Sequence, residues 1–270
     1  MPVGLADDLA AIRANPRLAG GVNRAVKVLT LDIGTAPAVS YHFGPKQRFI
    51  GQHMNVEPGR MICFAAKWLH DKGTIFHDER AGREQMVRAA WDLLSDADVV
   101  VGYNSTSFDI KKLNWEFARL GLVKPRPFRQ VDLLRAVRAE FGADWKNLDF
   151  IATHLGVGSK MEHEGGALWR KVLDGDPAAW KRMERYNRQD VKVTEGLYLR
   201  LLPWLPGTVN LGLLAGREKA CPNCGSQKLR RDDRYTSTPL TVWALYQCRD
   251  CGTWVRANYT KDRTAHRAVR

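Results

Sequence analysis

Three short segments, far apart in the chain, each end in an aspartate placed where it could hold a metal ion. Leu29-Thr30-Leu31-Asp32-Ile33-Gly34 puts Asp32 at the end of an apolar strand. Val101-Gly102-Tyr103-Asn104 leads to Phe108-Asp109, with Asp109 at the start of a helix after a second apolar strand. Tyr186-Asn187-Arg188-Gln189-Asp190 sets Tyr186 and Asp190 four apart, on one face of a helix. Carboxylate oxygens suit hard divalent ions such as Mg2+ or Mn2+. Two such ions about 4 Å apart can activate a water and stabilise a leaving oxygen, as phosphodiester hydrolysis requires. Each residue also has an ordinary reading. Asp32 could be a strand-end turn residue, Asp109 a helix cap, and Tyr186 with Asp190 a pair on a helix surface. Their joint order and spacing favour the site.

A second group has softer chemistry. Cys221-Pro222-Asn223-Cys224 and Cys248-Arg249-Asp250-Cys251 are two Cys-x-x-Cys pairs with 23 residues between them, each followed by a glycine, Gly225 and Gly252. A glycine there suits the tight turn that aims two thiolates at one ion, so the four cysteines predict one structural Zn2+ in a C-terminal zinc ribbon. A redox role would need only one such pair. A module of about 40 residues is too small to bury a sound core, so the metal would supply folding energy. The fifth cysteine, Cys63, lies in an apolar strand and reads as a small buried residue. Lys228, Arg230, Arg231, Arg234, Arg249 and Arg256 interleave with Tyr235, Trp243, Tyr246 and Trp254. Basic groups meet phosphates and aromatic faces stack on bases, which makes Lys228, Arg230, Arg231, Arg234, Arg249 and Trp254 the candidate nucleic-acid contacts. The alternatives are a ribbon whose aromatics form its own core, or one that binds protein.

The elements that would carry these residues alternate. Strands are expected over 27–33, 61–69 and 74–77, then 98–102 and near 128–131. Helices are expected over 83–94, 109–120, 132–141 and 148–155, with a Gly-rich loop over 156–166. A long helix runs from Pro177 to about Leu202, with Asp176 as N-cap. This is an α/β pattern, a mixed sheet flanked by helices, followed by the small cysteine module. The expected divisions are a lead-in over 1–23, the α/β domain over 24–205, a linker over 206–216, the ribbon over 217–260 and a basic tail over 261–270. Asp132 follows a strand and starts a helix; it either stands behind the metal ligands or caps the helix. Asn104 either hydrogen-bonds near the scissile bond or caps its turn. The loop Lys160-Met161-Glu162-His163-Glu164-Gly165 is rich in donors and could contact substrate, with His163 a polar loop residue.

The 270 residues hold 42 Lys and Arg against 29 Asp and Glu, a formal charge of +13. From Arg217 to Arg270 there are 12 Lys and Arg against 5 Asp and Glu, so that fifth of the chain carries +7. Such a balance points to a polyanionic partner. The first residues lack a basic segment followed by an apolar core, so no secretory signal is expected. No apolar run of about 18 residues is present. The expectation is a cytoplasmic protein with reduced thiols and no membrane partner.

The three aspartate motifs resemble those of the DnaQ-like 3′–5′ exonucleases, which are RNase H-like, in the subclass with tyrosine in the last motif (DEDDy). The likeness covers roughly residues 24–205. It is similar in particular to RNase H-like nucleases of bacteria and their phages that carry a C-terminal zinc ribbon; Asn187-Arg188-Gln189-Asp190-Val191 and Leu202-Pro203-Trp204 add to it. The resemblance implies two Mg2+ or Mn2+ ions, bridged by Asp32, with Asp109 holding the outer ion through water and Asp190 the nucleophile's ion. Tyr186 would orient the attacking water, and Asp132 would stand behind the ligands. It also implies nucleic acid as partner, with a single-stranded DNA 3′ end favoured, alongside replication or repair proteins in a bacterial or phage-infected cell. One position departs. The family's first motif is Asp-x-Glu, and here Gly34 takes the place of the glutamate, which in the family binds an ion and holds the water. Either the chain carries a deliberate inactivating substitution, or it is a natural member with lost or altered catalysis; the intact remaining motifs favour the first. The rival function is a non-catalytic nucleic-acid-binding or inhibitor-type protein, and a third is a proofreading subunit.

Overall fold

The computed structural model describes residues 25–44, 49–159, 166–205, 207, 209–258 and 262–263. The expected lead-in over 1–23, the donor-rich loop over 160–165 and most of the basic tail lie outside them. The described residues fall into two compact units, Lys27–Leu201 and the chain from Leu202 onward, with residues 25–26 grouped with the latter.

The first unit is built on a five-stranded mixed sheet. β1 (Val28–Ala36) is its central strand, buried on both faces for most of its length. β2 (Arg60–Trp68) runs antiparallel to it, and β3 (Ile75–Asp78) antiparallel to β2 at one edge. β4 (Val99–Gly102) runs parallel to β1, and β5 (Arg129–Asp132) parallel to β4 at the other edge. The order across the sheet is β3-β2-β1-β4-β5. The run Val99-Val100-Val101 is wholly buried, as a parallel strand covered on both faces must be. α1 (Arg83–Asp96) joins β3 to β4, and α2 (Asp109–Arg119) leads from β4 toward β5. After β5 come α3 (Leu133–Glu140), α4 (Leu148–His154), α5 (Gly166–Leu173) and α6 (Pro177–Leu201).

The period of two along β1 sorts its side chains between two cores. Leu29, Leu31 and Ile33 pack with Met86 and Val87 of α1 and Leu113 and Phe117 of α2. The opposite face carries Asp32 and Gly34. There Ile62 and Cys63 of β2 pack with Leu168 of α5 and with Trp180 and Met183 of α6. Asp176 caps α6 as expected, its Oδ1 accepting the Ala178 N–H at 2.8 Å.

Two differences from the sequence reading have plain causes. α5 occupies a stretch to which no element was assigned, because the glycines before it signal a loop. Leu168 and Val172, four apart, bury its apolar face, and the Trp169 Nε1–H donates to the Thr35 carbonyl at 2.9 Å. The segment expected as a linker over 206–216 instead contains α7 (Leu211–Leu214), with Leu211, Gly212 and Ala215 buried. The Leu211 N–H donates to the Pro222 carbonyl at 2.7 Å, so this apolar stretch belongs to the cysteine unit's own core. That unit is a sheet of β6 (Leu229–Ser237), β7 (Thr241–Cys248), β8 (Trp254–Arg256) and β9 (Asp262–Arg263), with β7 pairing antiparallel to each of the others. Among the described residues no helix is long and apolar enough to cross a membrane.

The first core encloses one charge. Glu116 of α2 is 3% exposed, and Arg83 of α1 donates Nη2 to both its oxygens at 2.7 Å. Arg83 also donates Nη1 to the Met61 carbonyl at 3.0 Å, so one guanidinium ties α1, α2 and β2 together. Removing it leaves this buried carboxylate with only the longer contacts to the Met61 N–H at 3.4 Å and Arg119 at 3.7 Å. Arg83→Ala is expected to lower stability by about 3 kcal/mol in urea unfolding. Arg88→Ala, which breaks only an exposed pair with Glu84, is expected to cost about 0.5 kcal/mol or less.

Candidate active site

Asp32 lies half-buried on the face of β1 that α6 covers. Asn187 of α6, 1% exposed, donates its Nδ2 to Asp32 Oδ2 at 2.5 Å and to the Asp32 carbonyl at 3.3 Å. Asp190 follows one helical turn later and is 1% exposed. Asp109 is the first residue of α2 and 4% exposed. It does not cap that helix. The N-cap is Phe108, and Asp109 Oδ1 instead accepts the Ile33 N–H at 3.1 Å, reaching across to β1 beside Asp32. Asp109 and Asn187 thus converge on the Asp32–Ile33 stretch in the middle of β1, and Asp190 follows Asn187 by three residues on α6. α6 is fixed in this position by a Lys67–Glu195 ion pair at 2.7 Å to β2, both side chains largely buried. Arg188 adds hydrogen bonds to the carbonyl and hydroxyl of Thr74.

Tyr186 is half-buried four residues before Asp190. Its ring stands edge-on to Trp169, with centroids 6.3 Å apart. Gly34 faces Cys63 across the β1–β2 pairing, just before a bulge in the register. A Cβ at position 34 would lie 2.5 Å from Cys63 Sγ and 3.9 Å from Met183 Sδ. The space for a side chain at 34 is therefore filled by a thiol. Cys63 is fully buried; burial first, and the Asp32 charge second, push its thiol well above the usual range, so it stays neutral and is no thiolate ligand.

Asp132 is 8% exposed and caps α3, Oδ1 accepting the Leu134 N–H at 3.1 Å. The same carboxylate accepts the Asn104 N–H at 2.9 Å and the Thr106 N–H at 3.1 Å. Asp132 is thus a helix cap, and the same carboxylate pins the turn that leads to Asp109. Asn104 sits in that turn at φ 63°, with its carbonyl accepting the Ser107 and Phe108 N–H groups, so its backbone shapes the approach to α2. A side chain on Gly102 would meet Ser105 Cβ at 2.5 Å, which lets the turn fold back tightly.

The oxygens of Asp32, Asp109 and Asp190 do not all lie within 4.8 Å of one another. Among the described residues that compactness belongs to one group of potential ligands, the four cysteines. Carboxylates that share two ions about 4 Å apart need not close to that distance. Hard oxygen donors on three elements, with a buried Asn187 Oδ1 that has no hydrogen-bond partner beside them, suit divalent cations.

The sulfurs of Cys221 and Cys251 are 3.6 Å apart, as are those of Cys224 and Cys248. This is too long for a disulfide. It is close to the edge of about 3.8 Å expected for four sulfurs around an ion at about 2.3 Å. The two knuckles match: the Gly225 N–H bonds the Cys221 carbonyl at 2.8 Å and the Gly252 N–H bonds that of Cys248 at 2.9 Å, with φ 73° and 80°. The Cys224 thiol donates to Cys221, whose pKa falls to about 5 with help from the Cys224 and Asn223 N–H groups, while Cys224 is pushed up. A thiolate is thus already favoured in the cluster.

The candidate contacts in this unit divide. Lys228 is paired with Asp250 at 3.2 Å, and Arg234 with Asp232 at 2.9 Å. Arg234 also lies over the Trp254 ring at 5.5 Å, and Arg256 over Trp243 at 4.2 Å. Arg230 stands in register with Gln247 and Trp254, so these three share a face, whereas Arg231 aligns with Tyr246 on the other face and donates to the Tyr235 hydroxyl. Arg249 is exposed in the second knuckle.

The mixed sheet, its strand order and the helices that flank it define an RNase H-like fold. The chain belongs to the RNase H superfamily, whose profile matches residues 54–202, more than half of its length. That match spans Asp109, Asp132, Tyr186 and Asp190 and begins after Asp32 and Gly34. Among solved structures the chain is similar in fold to the family B DNA polymerase of the hyperthermophilic archaeon Pyrobaculum calidifontis, with a TM-score of 0.50 and 20% identity. The likeness covers 80% of this chain and 32% of the polymerase, so the chain spans about a third of that protein's length. No curated protein matches it.

Metal analysis of the full chain is expected to find one equivalent of a thiolate-preferring ion such as zinc, lost in a Cys224→Ser/Cys251→Ser variant. Disulfides within the two pairs in freshly reduced protein would be the contrary result.

Proposed function

We propose that the chain is a metal-dependent 3′–5′ exonuclease acting on nucleic acid, DNA favoured over RNA, with catalysis weakened by Gly34. The observation that supports it best is the approach of α2 and α6 to the middle of β1, with Asp109 on the Ile33 N–H, Asn187 on Asp32 and Asp190 three residues after Asn187. Asp32, Asp109 and Asp190 would hold Mg2+ or Mn2+. Such ions would supply the positive charge that activates a water and stabilises the departing 3′ oxygen. Asn187 holds the Asp32 carboxylate in one orientation. The Ile33 N–H does the same for Asp109, so both ligands are set before substrate arrives. Tyr186 orients the water through its hydroxyl, since a phenol is a weak base at neutral pH and a good positioning group. Residues 24–205 form the nuclease part. The cysteine unit is a zinc ribbon whose Arg230–Trp254 face meets the strand, a single-stranded 3′ end, in a cytoplasmic replication or repair setting.

The second reading is a nuclease-fold protein that binds nucleic acid without cleaving it. The filled space at Gly34 favours it. A substitution made only to inactivate would have removed a side chain from a site shaped for it, whereas here the Cys63 thiol takes that volume. This also favours a natural glycine over an engineered one.

Release of nucleotides from 3′-labelled DNA and RNA with Mg2+ or Mn2+ separates the two. Gly34→Glu/Cys63→Ala is expected to be at least about ten-fold more active than the wild type, because a ligand and the room for it return together. Gly34→Glu alone is expected to gain less and to lose stability through overpacking. In the double variant, Asp190→Ala should abolish activity, while Tyr186→Phe should leave a measurable remainder. A double variant no more active than the wild type would remove the first motif from catalysis and leave the non-catalytic reading.

A further inference from the structure

Resting on the nuclease reading above, we propose that Asn187 is itself a ligand in the divalent-ion site. Its Nδ2 holds Asp32, and its Oδ1 supplies a neutral oxygen in place of the carboxylate absent at Gly34. Asn187 is 1% exposed, and its Oδ1 has no hydrogen-bond partner among the described residues. A buried amide oxygen left unpaired costs about 1–3 kcal/mol, so the fold retains it only where something else meets it. The orientation of the amide follows from its neighbours. Nδ2 faces two oxygens, Asp32 Oδ2 and the Asp32 carbonyl, and the reversed amide would set oxygen against both. Oδ1 and Nδ2 share one carbon, so Oδ1 lies within about 5 Å of Asp32 Oδ2. Two oxygens on one Mg2+, each about 2.1 Å from it, are at most about 4.2 Å apart, so the near part of that range lets both reach a common ion.

The chemistry is self-consistent. A cation on an amide oxygen draws electron density from its nitrogen and makes the N–H a stronger donor, here to the carboxylate that holds the same ion. Asparagine carbonyl oxygens are ordinary ligands of hard cations. Position 34 can add nothing, because it has no side chain and the thiol of Cys63 stands where one would begin. Asn187 also lies three residues before Asp190, on the same side of α6, so one helix presents two oxygens to the site. An amide in place of a carboxylate leaves the site one negative charge short, which predicts weak ion binding rather than none.

The test is Mn2+ binding to the zinc-loaded full chain, followed by electron paramagnetic resonance, with asparagine labelled with 13C at Cγ. Two results are expected together. Electron–nuclear double resonance of the wild type shows a 13C coupling that disappears in Asn187→Ala, and Asn187→Ala lowers Mn2+ affinity about ten-fold or more without changing the far-UV circular dichroism. The coupling is read on the unmodified chain, so a variant that folds poorly leaves that measurement intact. If Asp32→Asn and Asp190→Asn weaken Mn2+ binding but no 13C coupling is seen, the assignment of Asn187 is overturned and the nuclease reading stands; Oδ1 then faces a buried water. If Mn2+ affinity is indifferent to Asp32→Asn, both the metal reading and the role of Asn187 fall.

Discussion

The seating of α6 across β1 is the constraint on which the rest of the site depends. A carboxylate on the central strand of a buried sheet must be partnered without being shut away. Asn187 meets that need with one amide that grips both the Asp32 side chain and its carbonyl, so strand and ligand are held by the same group. The grip works only if α6 crosses at the correct height. The Lys67–Glu195 pair and the Arg188 bonds to Thr74 set that height from the far side of β1. Asp190 and Tyr186 are then placed as a consequence, being one turn of the same helix away.

The turn after β4 repeats this economy at the other side of the site. Asp132, at the end of the neighbouring strand, accepts three N–H groups with one carboxylate. It caps its own helix and shapes the turn that starts α2. Asp109 then emerges with its side chain directed at β1 instead of at its own helix end, held by the N–H of the residue beside Asp32. In both cases a buried polar side chain, Asn187 or Asp132, sets the direction of an aspartate that could hold an ion.

The cysteine unit is organised on a different principle. Its sheet is small and its faces are only partly covered, so four sulfurs gathered within 4.8 Å are the natural centre of its stability. Part of its charge is spent internally. Lys228 and Arg234 are matched by Asp250 and Asp232, which leaves Arg230, Arg249 and the Arg256–Trp243 stack, with the Trp254 ring beside Arg234, as the basic and aromatic surface.

The aspartate motifs, the cysteine spacing and most element bounds were legible from residue types and periodicity, because they depend on neighbours along the chain. Alternation places Asp32 and Gly34 on one face of β1, the four-residue spacing pairs Tyr186 with Asp190, and Cys-x-x-Cys followed by glycine builds a knuckle locally. α5 and α7 were missed where glycine and proline outweighed short apolar patterns. Other facts depend on which elements meet, and no local pattern carries that. The sequence contains Cys63 and Gly34 without stating that their strands pair in a register that sets the thiol in the glycine's place. It contains Asn187 inside a recognised motif without stating that the helix turns this side chain toward the first aspartate. Chemistry type follows from composition and spacing, which the chain carries by itself. Which groups share an oxygen or compete for a volume is settled by long-range packing, and only the tertiary structure decides it.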